Sequence, residues 1–285
     1  MSINLTNVFY TYSKGTPFEN QALKGVSTVI EPGEIVAIIG HTGSGKSTMV
    51  QHLNGLLNPE NGKVTIDDVD ISGKAMEAKT ARQKVGMVFQ YPEHQLFAET
   101  VYEDIAFGPR NKGFNPDEVD KAVREGMEFV NLDFETFKER SPFQLSGGQM
   151  RRVAIAGIVA MNPDYLVLDE PSAGLDPRSR DAVFKEILNL HATRKIAIVL
   201  VTHSMEEAVK YADRMLVVNK GKILFDGKPT EIFKEHTQEL LEIGMDIPES
   251  YKLAALLKKQ GLNLPDGLKD EKDLAKAIKK AKGWK

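Results

Sequence analysis

An unbroken apolar run, Ile35–Ile39, leads directly into Gly40-His41-Thr42-Gly43-Ser44-Gly45-Lys46-Ser47, and this junction constrains the fold more than any other stretch. A short buried strand, a glycine-rich turn and a helix beginning near Lys46 form the context in which such a loop binds phosphate. The glycines let successive backbone N–H groups converge on one anion, and the helix N-terminus adds partial positive charge. Lys46 can reach the β- and γ-phosphates of a nucleoside triphosphate, and the Ser47 hydroxyl can ligate Mg²⁺. Gly40 to Ser47, with Thr48 beside them, are the candidate nucleotide-binding residues.

The rest of the chain supplies a matching scaffold. Short β-branched runs alternate with helical stretches, as in an α/β domain with a mostly parallel central sheet. Ile35–Ile39, Val85–Phe89, Tyr165–Leu168 and Ile196–Val201 are the clearest strands, nearly all apolar as strands covered on both faces must be. Ile3–Tyr10 and Gly25–Ile30 instead alternate and predict an antiparallel accessory sheet. Gly221, between Val217-Val218 and Ile223-Leu224, predicts a late hairpin. Between Gln90 and Ser146 strand signals stop. Asn115-Pro116-Asp117 opens a helix over Asp117–Val130, so a helical subdomain is expected at about 91–160.

Beyond Lys234 the character changes. Ser250–Lys259 and Asp270–Lys282 read as short, lysine-rich amphipathic helices separated by Gly261, Pro265 and Gly267. A stretch this small and poor in aromatics makes a weak core alone. The extension 235–285 is expected to dock on something, either as a solvated appendage or as a dimerisation module.

Acids and polar residues close the strands. Leu166-Val167-Leu168-Asp169-Glu170 ends in two carboxylates at the strand's carboxyl end, where ligands collect in such sheets. Asp169 suits Mg²⁺ held through its water shell, and Glu170 can accept a proton from an attacking water. Gln90 closes Val85–Phe89, and His203 follows Ile196–Val201 after Thr202. A neutral amide can touch Mg²⁺ and the lytic water, and an imidazole can bond a γ-phosphate oxygen. Leu145-Ser146-Gly147-Gly148-Gln149 is a second glycine-bearing turn ahead of a helix read over Gln149–Ala160, again a helix N-terminus aimed at an anion.

Composition narrows the partners. A net charge of −3 over 285 residues gives no bulk attraction to nucleic acid. The chain has no cysteine, which excludes disulfides, thiolate metal sites and a cysteine nucleophile. MSINLTNVFY lacks a basic segment followed by an apolar stretch, so no secretory signal is expected. The longest apolar runs fall far short of the roughly 18 residues a spanning helix needs.

This ordered series, from the phosphate loop through Gln90, Leu145–Gln149, Asp169-Glu170 and Ser172-Ala173-Gly174-Leu175-Asp176 to His203, resembles the ATP-binding cassette (ABC) ATPases along residues 1 to about 234. The resemblance implies an α/β, P-loop NTPase core with an antiparallel accessory sheet, a helical subdomain and a small C-terminal helical extension. It implies ATP and Mg²⁺ as cofactors, with Glu170, His203 and Gln90 as catalytic residues and Ser47, Gln90 and Asp169 at the metal. It also implies composite sites, in which Ser146, Gly147, Gly148 and Gln149 cap an ATP held by the opposite subunit. Tyr12 matches the aromatic that stacks on adenine, and Asp176 the acid that couples the two sites.

A narrower stretch, Phe89–Phe97 followed by Thr100–Pro109, resembles the energy-coupling factor importers of vitamins or metal ions, and most of all the second ATPase of their pair. That resemblance implies a heterodimer with a second ABC ATPase, a transmembrane coupling protein, a membrane-embedded substrate-binding protein, and a peripheral position on the cytoplasmic face of the cell membrane. Glu93 and Glu99 are then candidate acceptors for arginines of the membrane partner. The rival readings are a soluble, non-transport cassette acting as a nucleotide-gated clamp, and a nucleotide-gated scaffold without turnover. No long coiled-coil insertion or second cassette is present, and Glu170 and His203 are intact.

Overall fold

A computed structural model describes residues 1–265, 267–268 and 271–284; Asp270, read as opening the last helix, lies outside them. The chain begins with strands β1 (Ile3–Tyr12), β2 (Asn20–Ile30) and β3 (Ile35–Ile39), then helix α1 (Lys46–Leu53). Strands β4 (Asn61–Ile66) and β5 (Val69–Asp70), helix α2 (Met76–Arg82) and strand β6 (Val85–Val88) follow. Helices α3 (Val101–Lys112), α4 (Pro116–Phe129), α5 (Phe134–Phe137) and α6 (Gly147–Ala160) form the insert. The chain returns through β7 (Tyr165–Asp169), α7 (Pro177–Arg194), β8 (Ala197–Val201), α8 (Met205–Tyr211), β9 (Arg214–Asn219) and β10 (Lys222–Gly227). It closes with α9 (Pro229–Glu235), α10 (Thr237–Glu242), α11 (Glu249–Lys259) and α12 (Glu271–Lys282).

The strands form a six-stranded sheet in the order β10-β9-β3-β8-β7-β6 and a four-stranded antiparallel sheet, β2-β1-β4-β5. In the larger sheet only the β9–β10 hairpin is antiparallel. Successive side chains on a strand face opposite layers. Ile35, Ala37 and Ile39 accordingly join one core with Val123, Ile155 and Phe184 from the helices. Val36 and Ile38 face the other way, onto Met49 and Leu53 of α1 and Ile3 and Leu5 of β1. Every residue of β3, β7 and β8 is buried, which is why each reads as a continuous apolar run.

The sequence reading misses parts of the smaller sheet for a physical reason. Register shifts interrupt the β1–β2 pairing around Asn7, whose φ is 50°, so strict alternation breaks there. Tyr12 pairs with Asn20 in the ladder, which extends both strands beyond their apolar stretches. Helix α6 starts at Gly147 rather than Gln149 because Ser146 is its N-cap and Gln149 the third residue of a capping box.

Packing also continues past Lys234. Leu240, Met245 and Ile247 belong to the large core, whereas Ala254, Leu264 and Leu274 form a small separate cluster between α11 and α12.

Candidate functional site

Because β6, β7, β8 and β3 run parallel, their carboxyl ends share one edge. Ile38 stands beside Val201, Val201 beside Asp169, and Val88 beside Leu168. The loops that leave this edge carry the phosphate loop, His203, Asp169-Glu170 and Gln90. They line up in space although the chain separates them widely.

The phosphate loop is fixed by backbone and by Lys46. Among the described residues no side chain caps α1, so its first N–H groups face the loop without a local acceptor. The Lys46 ammonium donates to the carbonyls of Gly40 at 2.6 Å and His41 at 2.9 Å, which holds it over the turn. Burial draws Lys46 below the ordinary lysine value, and Glu170 and Asp169 oppose that shift. Asp169 moves the other way: burial and the charge of Glu170 raise it, against the Ser47 hydroxyl bond and Lys46. Ser47, Asp169 and Lys46 therefore form one electrostatically coupled group.

Glu170 lies between the two other polar residues read from the strand ends. Its Oε2 accepts from the Gln90 amide at 3.0 Å, and its Oε1 lies 3.4 Å from His203 Nδ1. Its backbone is left-handed, with φ 50°, and its N–H donates to Val201 at 2.9 Å. A glutamate in that region costs about 1 kcal/mol, so the surrounding sheet has to hold it. A cavity of about 390 Å³ is lined by Gly40, His41, Thr42, Lys46, Glu170 and His203.

Two hydroxyls explain how Glu170 and His203 keep their spacing. Glu207 of α8, 4% exposed, accepts from Ser172 at 2.7 Å and from Thr202 at 2.6 Å. One buried carboxylate thus ties the loop after Glu170 to the residue before His203. Sequence reasoning missed it because Ser204-x-x-Glu207 reads as a helix start, and Ser204 does cap α8. A glutamate there whose partners lie outside its own helix leaves no signal in spacing.

Tyr12 ends β1 on the other sheet and is 37% exposed. Its hydroxyl lies 3.2 Å from the Thr48 hydroxyl, and Tyr10 meets its ring edge-on at 4.9 Å. Ser146, Gly147 and Gly148 are exposed at the start of α6, and the Ser146 N–H donates to Gln149 Oε1 at 2.9 Å. Gly148 lines a separate cavity of about 320 Å³ with Arg152, Arg178 and Ser179, and no residue lines both this cavity and the one at the phosphate loop. Asp176 caps α7, accepting from the N–H groups of Arg178 and Ser179 and from the Ser179 hydroxyl. The structure therefore gathers the loop, Asp169, Glu170, Gln90 and His203, and leaves Ser146–Gln149 and Asp176 on a different surface.

A further groove of about 390 Å³ runs between the segment after Gln90 and helices α3 and α6. Phe97 and Phe107 meet edge-on at 4.9 Å along it and are 59% and 50% exposed. Glu99 is exposed, but Glu93 turns inward: its Oε2 is buried, and the carboxylate bears on buried Arg151. Of the two candidate acceptors Glu99 is the exposed one, whereas Glu93 is half-buried beside Arg151.

The donors around Ser47 and Asp169 are oxygens, the hard ligands Mg²⁺ prefers. Among the described residues no group of three or more His, Cys, Asp or Glu could hold a metal. None of the described helices is long and apolar enough to cross a membrane.

Comparison with known proteins gives the family. Residues 23–173 match the ABC transporter family. The chain is 49% identical over 268 residues to the energy-coupling factor transporter ATP-binding protein EcfA2 of Clostridium tetani, covering 94% of this chain and 93% of that one. The EcfA2 protein of Acetivibrio thermocellus is 48% identical over 285 residues, covering 99% of this chain and all of the other. Among solved structures, cbiO1 from Clostridium perfringens, part of the ABC transporter complex cbiONQ, superposes with a TM-score of 0.73 at 34% identity, over 89% of this chain and 98% of that one. The ATP-binding cassette MJ0796, as a dimer bound to ADP and Pi, superposes with a TM-score of 0.71 at 32% identity, over 80% and 98%.

Proposed function

Since this chain belongs to the ABC transporter family, among its energy-coupling factor ATP-binding proteins, we propose that Gly40–Thr48 hold one ATP while Ser146–Gln149 close on an ATP held by a second cassette. The chain is an ATP-hydrolysing subunit of such a transporter. The observation that carries the residue assignment is Glu170, held between Gln90 and His203 over the cavity that Lys46 enters.

In this reading Lys46 binds the β- and γ-phosphate oxygens and His203 bonds a γ-phosphate oxygen. Gln90 orients the attacking water, and Glu170 takes its proton. A bond forms between the water oxygen and the γ-phosphorus as the bridge to the β-phosphate breaks, releasing ADP and phosphate. Ser47, Asp169 and Gln90 would hold Mg²⁺, which when bound neutralises charge on the β- and γ-oxygens. Little covalent work falls to the protein, so positioning carries the rate.

Tyr12 is the adenine platform. Tyr12→Ala should weaken ATP binding about tenfold, in line with ~1–3 kcal/mol per stacked base, and leave kcat within about twofold. Titration with a fluorescent ATP analogue, alongside steady-state kinetics, checks both.

The separation of Ser146–Gln149 from the chain's own loop supports shared sites, as does the paired MJ0796 cassette. The second cassette is a non-identical ATPase, and Asp176 is presented to it beside α7. The decisive test is Gly148→Asp in the assembled transporter. This chain should still bind ATP at its own loop, while ATP-driven closure is lost and hydrolysis falls at least about tenfold. Full activity in that variant sinks the shared-site reading.

The exposed Phe97 and Phe107 support docking of a transmembrane coupling protein in the groove after Gln90. Through it the chain sits peripherally on the cytoplasmic face of the membrane. A separate membrane-embedded protein then selects the vitamin or metal ion.

A further inference from the structure

The turn between α10 and α11 lies against the phosphate loop, although the two are far apart in sequence. His41 Nε2 donates to the Ile243 carbonyl at 2.6 Å, across 202 positions. Gly244, with φ 76°, lies under the ring, and a Cβ there would stand 3.5 Å from His41 Nε2. Gly244, Met245 and Asp246 line the same cavity as Lys46 and Glu170.

The turn is anchored on both sides. Leu240 is 0% exposed and Met245 5%, both within the main core. The N–H groups of Ile243, Gly244 and Met245 donate to Glu239, Leu241 and Leu240. Asp246 brings a carboxylate to the wall of a cavity suited to polyphosphate, where like charge repels unless a cation answers it. Lys252 of α11 does so at 2.7 Å, shared with Glu249 at 2.8 Å. The turn between α10 and α11 thus contributes a wall, and the first turn of α11 the cation that answers its carboxylate.

We propose that residues 243–246 form a wall at the phosphate end of the ATP site. His41 is the positioning residue through which ATP binding and docking of the C-terminal helices stabilise each other. Such coupling is reciprocal: whatever fixes the loop fixes the turn to the same degree. The proposal rests on the reading of this cavity as the ATP site.

Amide hydrogen exchange on the full chain paired with its second cassette tests it, with AMP-PNP as the probe. In the parent, AMP-PNP should slow exchange across residues 240–247 by about threefold to tenfold. His41→Leu should lose that protection and bind AMP-PNP about threefold to tenfold more weakly. His41→Gln, which keeps an N–H donor at similar reach, should restore both. Lys252→Met, outside the loop, should weaken binding by a similar factor by leaving Asp246 unanswered.

The proposal is overturned if His41→Leu keeps parental protection and affinity, or if His41→Gln behaves like His41→Leu. It is equally overturned if Lys252→Met binds as the parent does. If AMP-PNP fails to protect even residues 40–48 of the parent, the ATP-site reading itself fails and the proposal falls with it.

Discussion

Replacing Glu170 with Gln should lower kcat about 10²- to 10⁴-fold while leaving ATP affinity nearly unchanged. The substitution keeps the side chain's size and its ability to accept from Gln90, so the left-handed turn at φ 50° has no new reason to relax. What it removes is the site for the proton of the attacking water. In the proposed site nucleotide binding relies on Lys46 and the loop, whose backbone bonds the change leaves in place. ATP-bound pairs of cassettes should therefore accumulate. Single-turnover hydrolysis and size-exclusion chromatography with ATP read the two effects separately. A variant that turns over at the parental rate would falsify the assignment of Glu170 as the base.

The second large effect is steric. A Cβ on Gly40 would stand 2.2 Å from the Val218 carbonyl and 2.6 Å from the Ser44 hydroxyl. Val218 lies in β9, whose carbonyl cannot swing aside without disturbing its pairing with β3 and β10. Gly40→Ala should therefore cost about 3 kcal/mol or more of stability and abolish ATP binding together. Gly147 is the contrast, because nothing stands within 4 Å of a Cβ built there. Gly147→Ala should leave stability within about 0.5 kcal/mol. Urea denaturation of both variants measures the difference, and equal midpoints would contradict the packing argument.

How far the site was legible depended on whether its cause was local. The phosphate loop, Asp169 and Glu170 announce themselves because a buried parallel strand reads as an apolar run and its chemistry follows immediately. That Gln90, Glu170 and His203 meet depends on β6, β7 and β8 lying side by side, which strand order decides and spacing does not. The family resemblance anticipated it where periodicity alone could not. Glu207 stayed hidden because its partners, Ser172 and Thr202, come from other loops. Glu93 reads as exposed like Glu99, and only tertiary packing half-buries it beside Arg151. The composition changes near Lys234, but scattered residues such as Leu240 and Ile247, too sparse to show a period, carry the core onward.

The two ends of the proposed nucleotide site belong to different sheets. Tyr12 finishes β1 of the antiparallel sheet, whereas the loop and Glu170 leave β3 and β7 of the parallel one. With adenine on Tyr12, a bound nucleotide is a rivet between two plates of the same subunit. Hydrolysis cuts the rivet only at its far tip. Adenine and the inner phosphates remain in place, so ADP should keep each subunit internally fastened while the grip between subunits lets go. Opening of the pair and departure of ADP are then separate events, and a motor built this way resets its partner contact before it reloads.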